Sequence, residues 1–319
     1  MTGERPATAI GGSARDPLRV LYVMGTGFTG STLLAFLLNA HPEIATVGEA
    51  TGPIGRFADQ RTYRCSCDAS LEECVFWRRV GQEMKVRGFD FGPNRWDLRF
   101  VLTRNRVAHQ LLTQSLRNNV LDAIRDAAVL RVPPWRRRLR ELARRNEAFV
   151  ASVLAVTGRR VFLDASKDAV RARCFHRLTD VDLRVLHLVR DAPGFVSSHV
   201  KNRSASLDAG IRYWNRTAGH AGRLAALLPS DRFLRVRYED LCTATEDELA
   251  RIARFAGLEP RPGPIDFRAT EHHIIGNRMR MVSSSEVVLD ERWRERLDES
   301  QLGVIARRTG RQRRRLGYA

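Results

Sequence analysis

The stretch that decides the fold is Arg19-Val-Leu-Tyr-Val-Met-Gly-Thr-Gly-Phe-Thr-Gly-Ser-Thr-Leu-Leu34. A short apolar run leads into a loop that contains Gly25, Gly27 and Gly30, and an apolar helical segment follows the loop. A strand, a glycine loop and a helix in this order predict a phosphate cradle. Glycines let the backbone turn its N–H groups onto phosphate oxygens, and the helix N-terminus adds a favourable dipole.

The residue after Gly30 bears on which phosphate compound is bound. The spacing of Gly25 and Gly30 fits a nucleotide-triphosphatase P-loop, but Ser31, followed by Thr32, stands where such a loop carries a lysine. That lysine contacts the β- and γ-phosphates of a triphosphate, so its replacement disfavours a triphosphate ligand. A P-loop kinase or other nucleotide phosphotransferase is therefore the alternative interpretation.

Apolar, β-branched runs alternate with helical patterns, which predicts an α/β fold with a P-loop-type parallel sheet flanked by helices. Strands are predicted at 19–24, 44–47, 159–163, 183–189 and 232–236, and helices at 31–40, 168–177, 192–202, 206–227 and 243–256. The stretch from about 98 to 157 has helical periodicity broken by Pro133-Pro134, which predicts a two-helix insertion. We expect a disordered lead-in at 1–18 and a single domain at 19–319.

The chain has a formal charge of +18 and only three lysines, so arginine supplies nearly all of the positive charge. A solvated surface, including the basic tail from Arg307, accounts for most of it, and an anionic small-molecule ligand accounts for the rest. A nucleic-acid-binding protein would interleave its charge with stacking aromatic residues, whereas these arginines lie in helical, mixed-charge sequence. Neither a signal peptide nor an apolar run of roughly 18 residues is found, so we expect a cytoplasmic protein without a transmembrane segment.

Three of the five cysteines, Cys65, Cys67 and Cys74, lie close together in the sequence. They offer three thiolates, but no fourth Cys or His stands nearby at the spacing of a zinc site. The odd number of cysteines and the missing secretory signal disfavour a disulfide framework. The sequence therefore favours a local disulfide or simple packing over a metal site.

A second phosphate site is predicted where the fourth strand ends. Arg190 follows the strand at its carboxyl end, where open α/β sheets bind their ligands. Pro193 suits the first turn of the next helix, and Ser198 lies about two turns into that helix. A planar guanidinium and a hydroxyl are suited to a phosphate monoester. Two separate phosphate sites favour a nucleotide that carries phosphate groups at both ends.

These two segments resemble the sulfotransferases that use 3′-phosphoadenosine 5′-phosphosulfate (PAPS). The resemblance runs from about residue 19 to 297. Further matching segments are Asn39-Ala-His-Pro-Glu-Ile44, Val47-Gly-Glu49, Cys65 to Trp77, Asp164-Ala-Ser-Lys167-Asp168, Arg237-Tyr-Glu-Asp-Leu241 and Gly276-Asn-Arg-Met-Arg280. The resemblance implies that PAPS is the co-substrate and that sulfuryl transfer needs no metal.

The resemblance also implies which residues bind PAPS. Arg190 and Ser198 match the residues that hold the 3′-phosphate, and Arg280 matches a C-terminal loop that closes over the nucleotide. The 5′-phosphosulfate loop corresponds to Gly27, Phe28, Thr29, Gly30, Ser31 and Thr32. Phe28 departs from the family, which commonly has Arg or Lys at that position, so another cation must compensate. Lys167 is the candidate that we favour.

Glu49 and Lys167 match the catalytic residues of tyrosylprotein sulfotransferases. Glu49 follows the second strand and would remove the acceptor proton, while Lys167 would stabilise the bridging oxygen. Asp164 and His41 are competing candidates for the base. The expected reaction is in-line transfer to a hydroxyl or amine of a small-molecule or carbohydrate acceptor. The sequence does not specify the acceptor or the oligomeric state.

Overall fold

A computed structural model of the protein describes residues 16–52, 63–114, 116, 118–263, 265–281 and 284–318. Residues 1–15 of the expected lead-in lie outside the described residues. The described chain forms a parallel sheet flanked by helices, which confirms the predicted α/β class. Across these residues, none of the helices combines the length and the apolar character needed to cross a membrane.

The sheet in the described part of the chain has five parallel strands. They are β1 (Arg19–Gly25), β2 (Ile44–Thr46), β3 (Val161–Lys167), β4 (Asp182–Val189) and β5 (Phe233–Arg237). Their spatial order is β2-β3-β1-β4-β5, so β1 lies in the centre, and its residues from Val20 to Met24 are at most 1% exposed. Burial on both faces explains the continuous apolar run. The chain crosses from one side of β1 to the other, and the carboxyl ends of β1 and β4 border this switch point, where such sheets bind ligands.

Helices cover both faces of the sheet. They are α1 (Ser31–Asn39), α2 (Val75–Val86), α3 (Arg106–Thr113), α4 (Asn119–Arg131), α5 (Pro133–Thr157), α6 (Ala169–Leu178), α7 (Ala192–Arg203), α8 (Leu207–Ala225), α9 (Tyr238–Thr243), α10 (Thr245–Phe255), α11 (Trp293–Arg296) and α12 (Glu299–Arg315). Most predicted bounds agree within two residues. The exception is the third strand, because β3 continues four residues beyond the predicted end at 163, whereas the helix predicted at 243–256 corresponds to α10.

The prediction of two helices between 98 and 157 is wrong, because the described residues of this range form α3, α4 and α5. The side chain of Asn105 accepts hydrogen bonds from the first turn of α3, and that of Asn118 does the same for α4. Such caps satisfy N–H groups that have no partner inside the helix. Pro133 begins α5, since proline is tolerated at the first helical position, where its missing N–H costs nothing.

A late segment, residues 271–276, returns to the carboxyl end of β2. The Ile275 N–H donates to the Val47 carbonyl over 2.8 Å, and the Glu49 N–H donates to the Ile275 carbonyl over 3.2 Å. The Tyr63 hydroxyl accepts from the Gly276 N–H over 2.7 Å, which adds a third part of the chain. Residues distant in sequence therefore fix the backbone from Val47 to Glu49.

Candidate active site

Two glycines let the loop between β1 and α1 approach its neighbours closely. Gly30 has a φ of +82°, a left-handed conformation that favours glycine. A Cβ at Gly30 would lie 2.5 Å from Cδ2 of Tyr238, and a Cβ at Gly25 would lie 2.5 Å from the carbonyl oxygen of Leu188. Both distances are shorter than any real contact. The loop therefore lies directly against β4 and the start of α9.

The first turn of α1 offers N–H groups to an anion. Thr29 Oγ1 donates to the Thr26 carbonyl over 2.8 Å, which closes the loop on itself. Gly30 provides no side-chain cap for α1, and the first N–H groups of an α-helix have no partner within the helix. Together with the hydroxyls of Ser31 and Thr32, this turn has the donors and the dipole that phosphate binding requires.

The Phe28 side chain offers no charge to the loop and packs against a cluster of buried apolar residues. Its φ of +64° is uncommon for a residue with a side chain. The ring packs edge-on against His199, with a centroid distance of 6.2 Å, and the Arg203 guanidinium lies 5.7 Å from the ring centroid. Arg203 is thus a second cation close to the loop, in addition to the predicted Lys167.

Arg190 joins the two predicted phosphate sites. Its Nη1 donates to Ser198 Oγ over 3.3 Å and to the Phe28 carbonyl over 3.3 Å. Its backbone carbonyl accepts from Trp214 Nε1 over 3.0 Å, which fixes the end of β4. The structure therefore brings Arg190 and Ser198 together, and it brings both next to the glycine loop.

Glu49 and Lys167 form an ion pair at the same edge of the sheet. Lys167 Nζ lies 2.9 Å from Glu49 Oε1 and donates to the Ala165 carbonyl over 2.8 Å. The Lys167 side chain is 12% exposed and the Glu49 side chain is 34% exposed, so solvent reaches both. The strand β3 continues to Lys167, four residues beyond the predicted end at 163, and this extension carries the lysine to Glu49.

Most of the sequence matches a known family. A model described as the sulfotransferase family covers residues 21–262, which is more than half of the chain. The chain belongs to the sulfotransferase family. The family-level resemblance inferred from the glycine loop and the Arg190 segment is therefore confirmed, and it supports transferase activity.

The fold of this sulfotransferase is shared by a solved structure. The sulfotransferase domain of the olefin synthase from Synechococcus PCC 7002 is 17% identical, with a TM-score of 0.53 over 97% of this chain and 98% of that chain. Sulfotransferase STF9 from Mycobacterium avium is 12% identical, with a TM-score of 0.48 over 95% of this chain and 78% of that chain. No curated protein matches the sequence significantly.

One feature of this sulfotransferase that the sequence did not indicate is Asp290, which covers Arg190. Arg190 Nη2 donates to the Asp290 carbonyl and lies 3.5 Å from its carboxylate. A hydrogen bond from Arg292, with the nearby charge of Arg190, lowers the pKa of Asp290 to about 2. The carboxylate is thus an anion at neutral pH beside the guanidinium group that is predicted to bind phosphate. No sequence motif around Asp290 signals this contact.

Tyr238 connects the loop, Arg190 and the segment around Asp290. Its ring lies against Gly30, and the Arg190 guanidinium lies 4.7 Å from the ring centroid. Its hydroxyl accepts from the Asp290 N–H over 3.2 Å. Burial raises the pKa of Tyr238 to about 12, so the hydroxyl stays protonated at neutral pH. These contacts give Tyr238 a structural role.

The two competing candidates for the base are engaged in structural hydrogen bonds. Asp164 is fully buried, accepts from Arg171 Nε over 2.8 Å and accepts from the Ser166 N–H over 2.9 Å. His41 is also buried, and its ring nitrogens contact the Glu259 carbonyl and the Glu43 N–H. Glu49 is the more accessible of the three.

The Arg280 side chain donates hydrogen bonds to backbone carbonyls of its own loop and of Arg64. Its Nη1 donates to the carbonyls of Gly276 and Asn277, and its Nε and Nη2 donate to the carbonyl of Arg64. The guanidinium also lies 4.3 Å from the centroid of the Tyr63 ring. The predicted phosphate contact would require Arg280 to exchange some of these carbonyls for a ligand.

Proposed function

We propose that this sulfotransferase moves a sulfuryl group from PAPS to a hydroxyl or amine of a small-molecule or carbohydrate acceptor. The observation that carries the proposal is the contact of Arg190 with both Ser198 and the Phe28 carbonyl. This contact supports two adjacent anion-binding positions. A nucleotide with phosphates at both the 3′ and the 5′ position of its ribose requires such a pair.

The glycine loop is the proposed position of the 5′-phosphosulfate. N–H groups from Gly27 to Thr32, with the Ser31 and Thr32 hydroxyls, would hold the phosphate oxygens. Positive charge at this position stabilises the leaving group as the sulfur–oxygen bond breaks. Phe28 stands where the family commonly has Arg or Lys. Arg203 and Lys167 are the cations proposed to supply that positive charge instead.

Arg190 and Ser198 are the proposed partners of the 3′-phosphate. Arg190 presents a planar fork that suits a phosphate, but Asp290 already lies against it. Binding of the 3′-phosphate therefore requires the Asp290 carboxylate to leave Arg190. The carboxylate competes with the nucleotide, and its removal should increase nucleotide affinity.

The proposed chemistry uses the Glu49–Lys167 pair. The acceptor oxygen or nitrogen forms a bond to sulfur while the bond from sulfur to the 5′-phosphate oxygen breaks, and Glu49 takes the acceptor proton. An ammonium group has three N–H donors. Lys167 directs one to Glu49 and one to the Ala165 carbonyl, which leaves one for the bridging oxygen. The products are the sulfated acceptor and adenosine 3′,5′-bisphosphate.

A thermal-shift comparison tests the nucleotide part of the proposal. Adenosine 3′,5′-bisphosphate should raise the melting temperature, because a ligand that binds only the folded state stabilises it. Adenosine 5′-phosphate, which lacks the group for Arg190, should raise it less. Stabilisation by Mg-ATP alone would contradict the proposal and favour the nucleotide-kinase alternative.

A further inference from the structure

Four metal-ligating side chains meet at a place that the proposed reaction does not use. Cys65 and Cys67 lie on one loop, Cys74 precedes α2, and His273 comes from the late segment 271–276. The three sulfur atoms and a ring nitrogen of His273 all lie within 4.8 Å of one another. His273 lies 199 residues after Cys74, which is why the sequence showed three ligands without a fourth.

The distances fit a tetrahedral ion. Zinc–sulfur bonds of about 2.3 Å and a zinc–nitrogen bond of about 2.0 Å place tetrahedral ligand atoms roughly 3.5–3.8 Å apart. The sulfur atoms of Cys67 and Cys74 are 3.6 Å apart. Nδ1 of His273 lies 3.7 Å from the sulfur of Cys65 and 3.3 Å from that of Cys74. All five cysteines of the chain are free thiols.

The three cysteines differ in their exposure to solvent. Cys65 and Cys74 are buried, whereas Cys67 is exposed and gives an ion access from solvent.

The histidine is held in a ligand-like orientation. Its Nε2 lies 2.8 Å from Glu271 Oε1, so the carboxylate fixes the ring and leaves Nδ1 facing the sulfur atoms. The Phe76 ring stacks on it at a centroid distance of 4.5 Å and an angle of 5°. A carboxylate behind a histidine is the outer-shell arrangement that metal-bound histidines commonly have.

We propose that Cys65, Cys67, Cys74 and His273 bind one structural zinc ion. Four protein ligands close the coordination sphere and leave no position for a substrate, so the ion serves the fold. It joins the loop that carries Cys65 and Cys67 to the segment 271–276, whose Ile275 pairs with Val47 and Glu49. The ion therefore fastens the backbone beside the proposed base. Only this last consequence depends on the proposed function.

Metal content tests the site without any substrate. The protein, purified with neither chelator nor added zinc, should contain about one equivalent of zinc by plasma mass spectrometry. The Cys67→Ser and His273→Gln variants should lose most of it, while Cys174→Ser, which changes a cysteine outside the cluster, should keep it. Circular dichroism shows whether each variant is folded.

Three further measurements use the wild-type protein and so do not depend on whether the variants fold. Cobalt substitution of the wild type should give the visible bands of a tetrahedral thiolate site, and a chelator should lower the melting temperature. Mass spectrometry of the unreduced chain should show five free thiols after metal removal. A disulfide between Cys67 and Cys74, or wild-type protein that takes up neither zinc nor cobalt, would overturn the proposal.

The result is independent of the sulfuryl-transfer proposal. Stabilisation of the wild type by adenosine 3′,5′-bisphosphate is measured on the same preparation. Bisphosphate binding without zinc would refute the metal site alone, and zinc without bisphosphate binding would refute the nucleotide site alone.

Discussion

The β1–α1 loop and the segment 271–276 lie at the same edge of the sheet, but contacts of different sequence range hold them. Within the loop, Thr29 bonds to Thr26, three residues away. Within the segment, Gly276 bonds to Tyr63, 213 residues away. The difference teaches that the internal turn of the β1–α1 loop is encoded locally, whereas the backbone around Glu49 depends on distant parts of the chain. We therefore expect nucleotide binding and turnover to be separable by mutation.

The sharpest separation should come from Glu49→Gln. Loss of the proposed base should lower kcat by about 10²- to 10⁴-fold and leave bisphosphate affinity nearly unchanged. Glu43→Gln is a matched control, because Glu43 also pairs with a cation and is 30% exposed against 34% for Glu49, but precedes β2. Steady-state kinetics and calorimetry check both values. Full activity of Glu49→Gln would remove the base from the mechanism.

Lys167→Ala should have the next largest effect. Loss of a positive charge beside the breaking bond should lower kcat by about 10²- to 10³-fold. Bisphosphate affinity should change much less, because that product has lost its sulfuryl group. Lys85→Ala, on α2, controls for the loss of a lysine. An effect confined to stability, seen in thermal melts, would make the ion pair structural.

Arg190→Ala should affect nucleotide binding, which is the other side of the comparison. Loss of charged hydrogen bonds should weaken adenosine 3′,5′-bisphosphate binding by about 10- to 150-fold. Adenosine 5′-phosphate should bind with nearly unchanged affinity, since it has no 3′-phosphate. The control is Arg184→Ala, on the same strand but toward its amino end. Equal losses for both nucleotides by calorimetry would mean that Arg190 supports the loop in general.

Asp290→Asn should give the smallest effect, in the opposite direction. Removal of the carboxylate charge from Arg190 should tighten bisphosphate binding by about two- to fivefold. Asp231→Asn, at an exposed carboxylate before β5, is the control for the change in net charge. Weaker binding by Asp290→Asn would contradict a competition between carboxylate and phosphate.

The sequence predicted what depends on local spacing. The glycine loop follows from the residues of β1 and α1, and the eight-residue spacing of Arg190 and Ser198 brings them together on one strand–helix turn. The strand order was not readable in detail, but the alternation of apolar runs and helices was enough to predict the α/β class.

The sequence did not predict contacts between residues that are distant along the chain. Asp290 reaches Arg190 across 100 residues, and His273 completes a cysteine cluster that lies about 200 residues earlier. No local pattern marks either contact. The third helix between 98 and 157 escapes prediction for a local reason, because the caps at Asn105 and Asn118 are weaker signals than Pro133-Pro134.

The most direct measurement of the central claim is transfer from radiolabelled PAPS to a panel of hydroxyl- and amine-bearing acceptors. The account predicts a labelled product together with an equal amount of adenosine 3′,5′-bisphosphate, without added Mg²⁺, and loss of both with Glu49→Gln. Absence of labelled product from every acceptor, combined with Mg²⁺-dependent transfer of labelled phosphate from ATP, would contradict it.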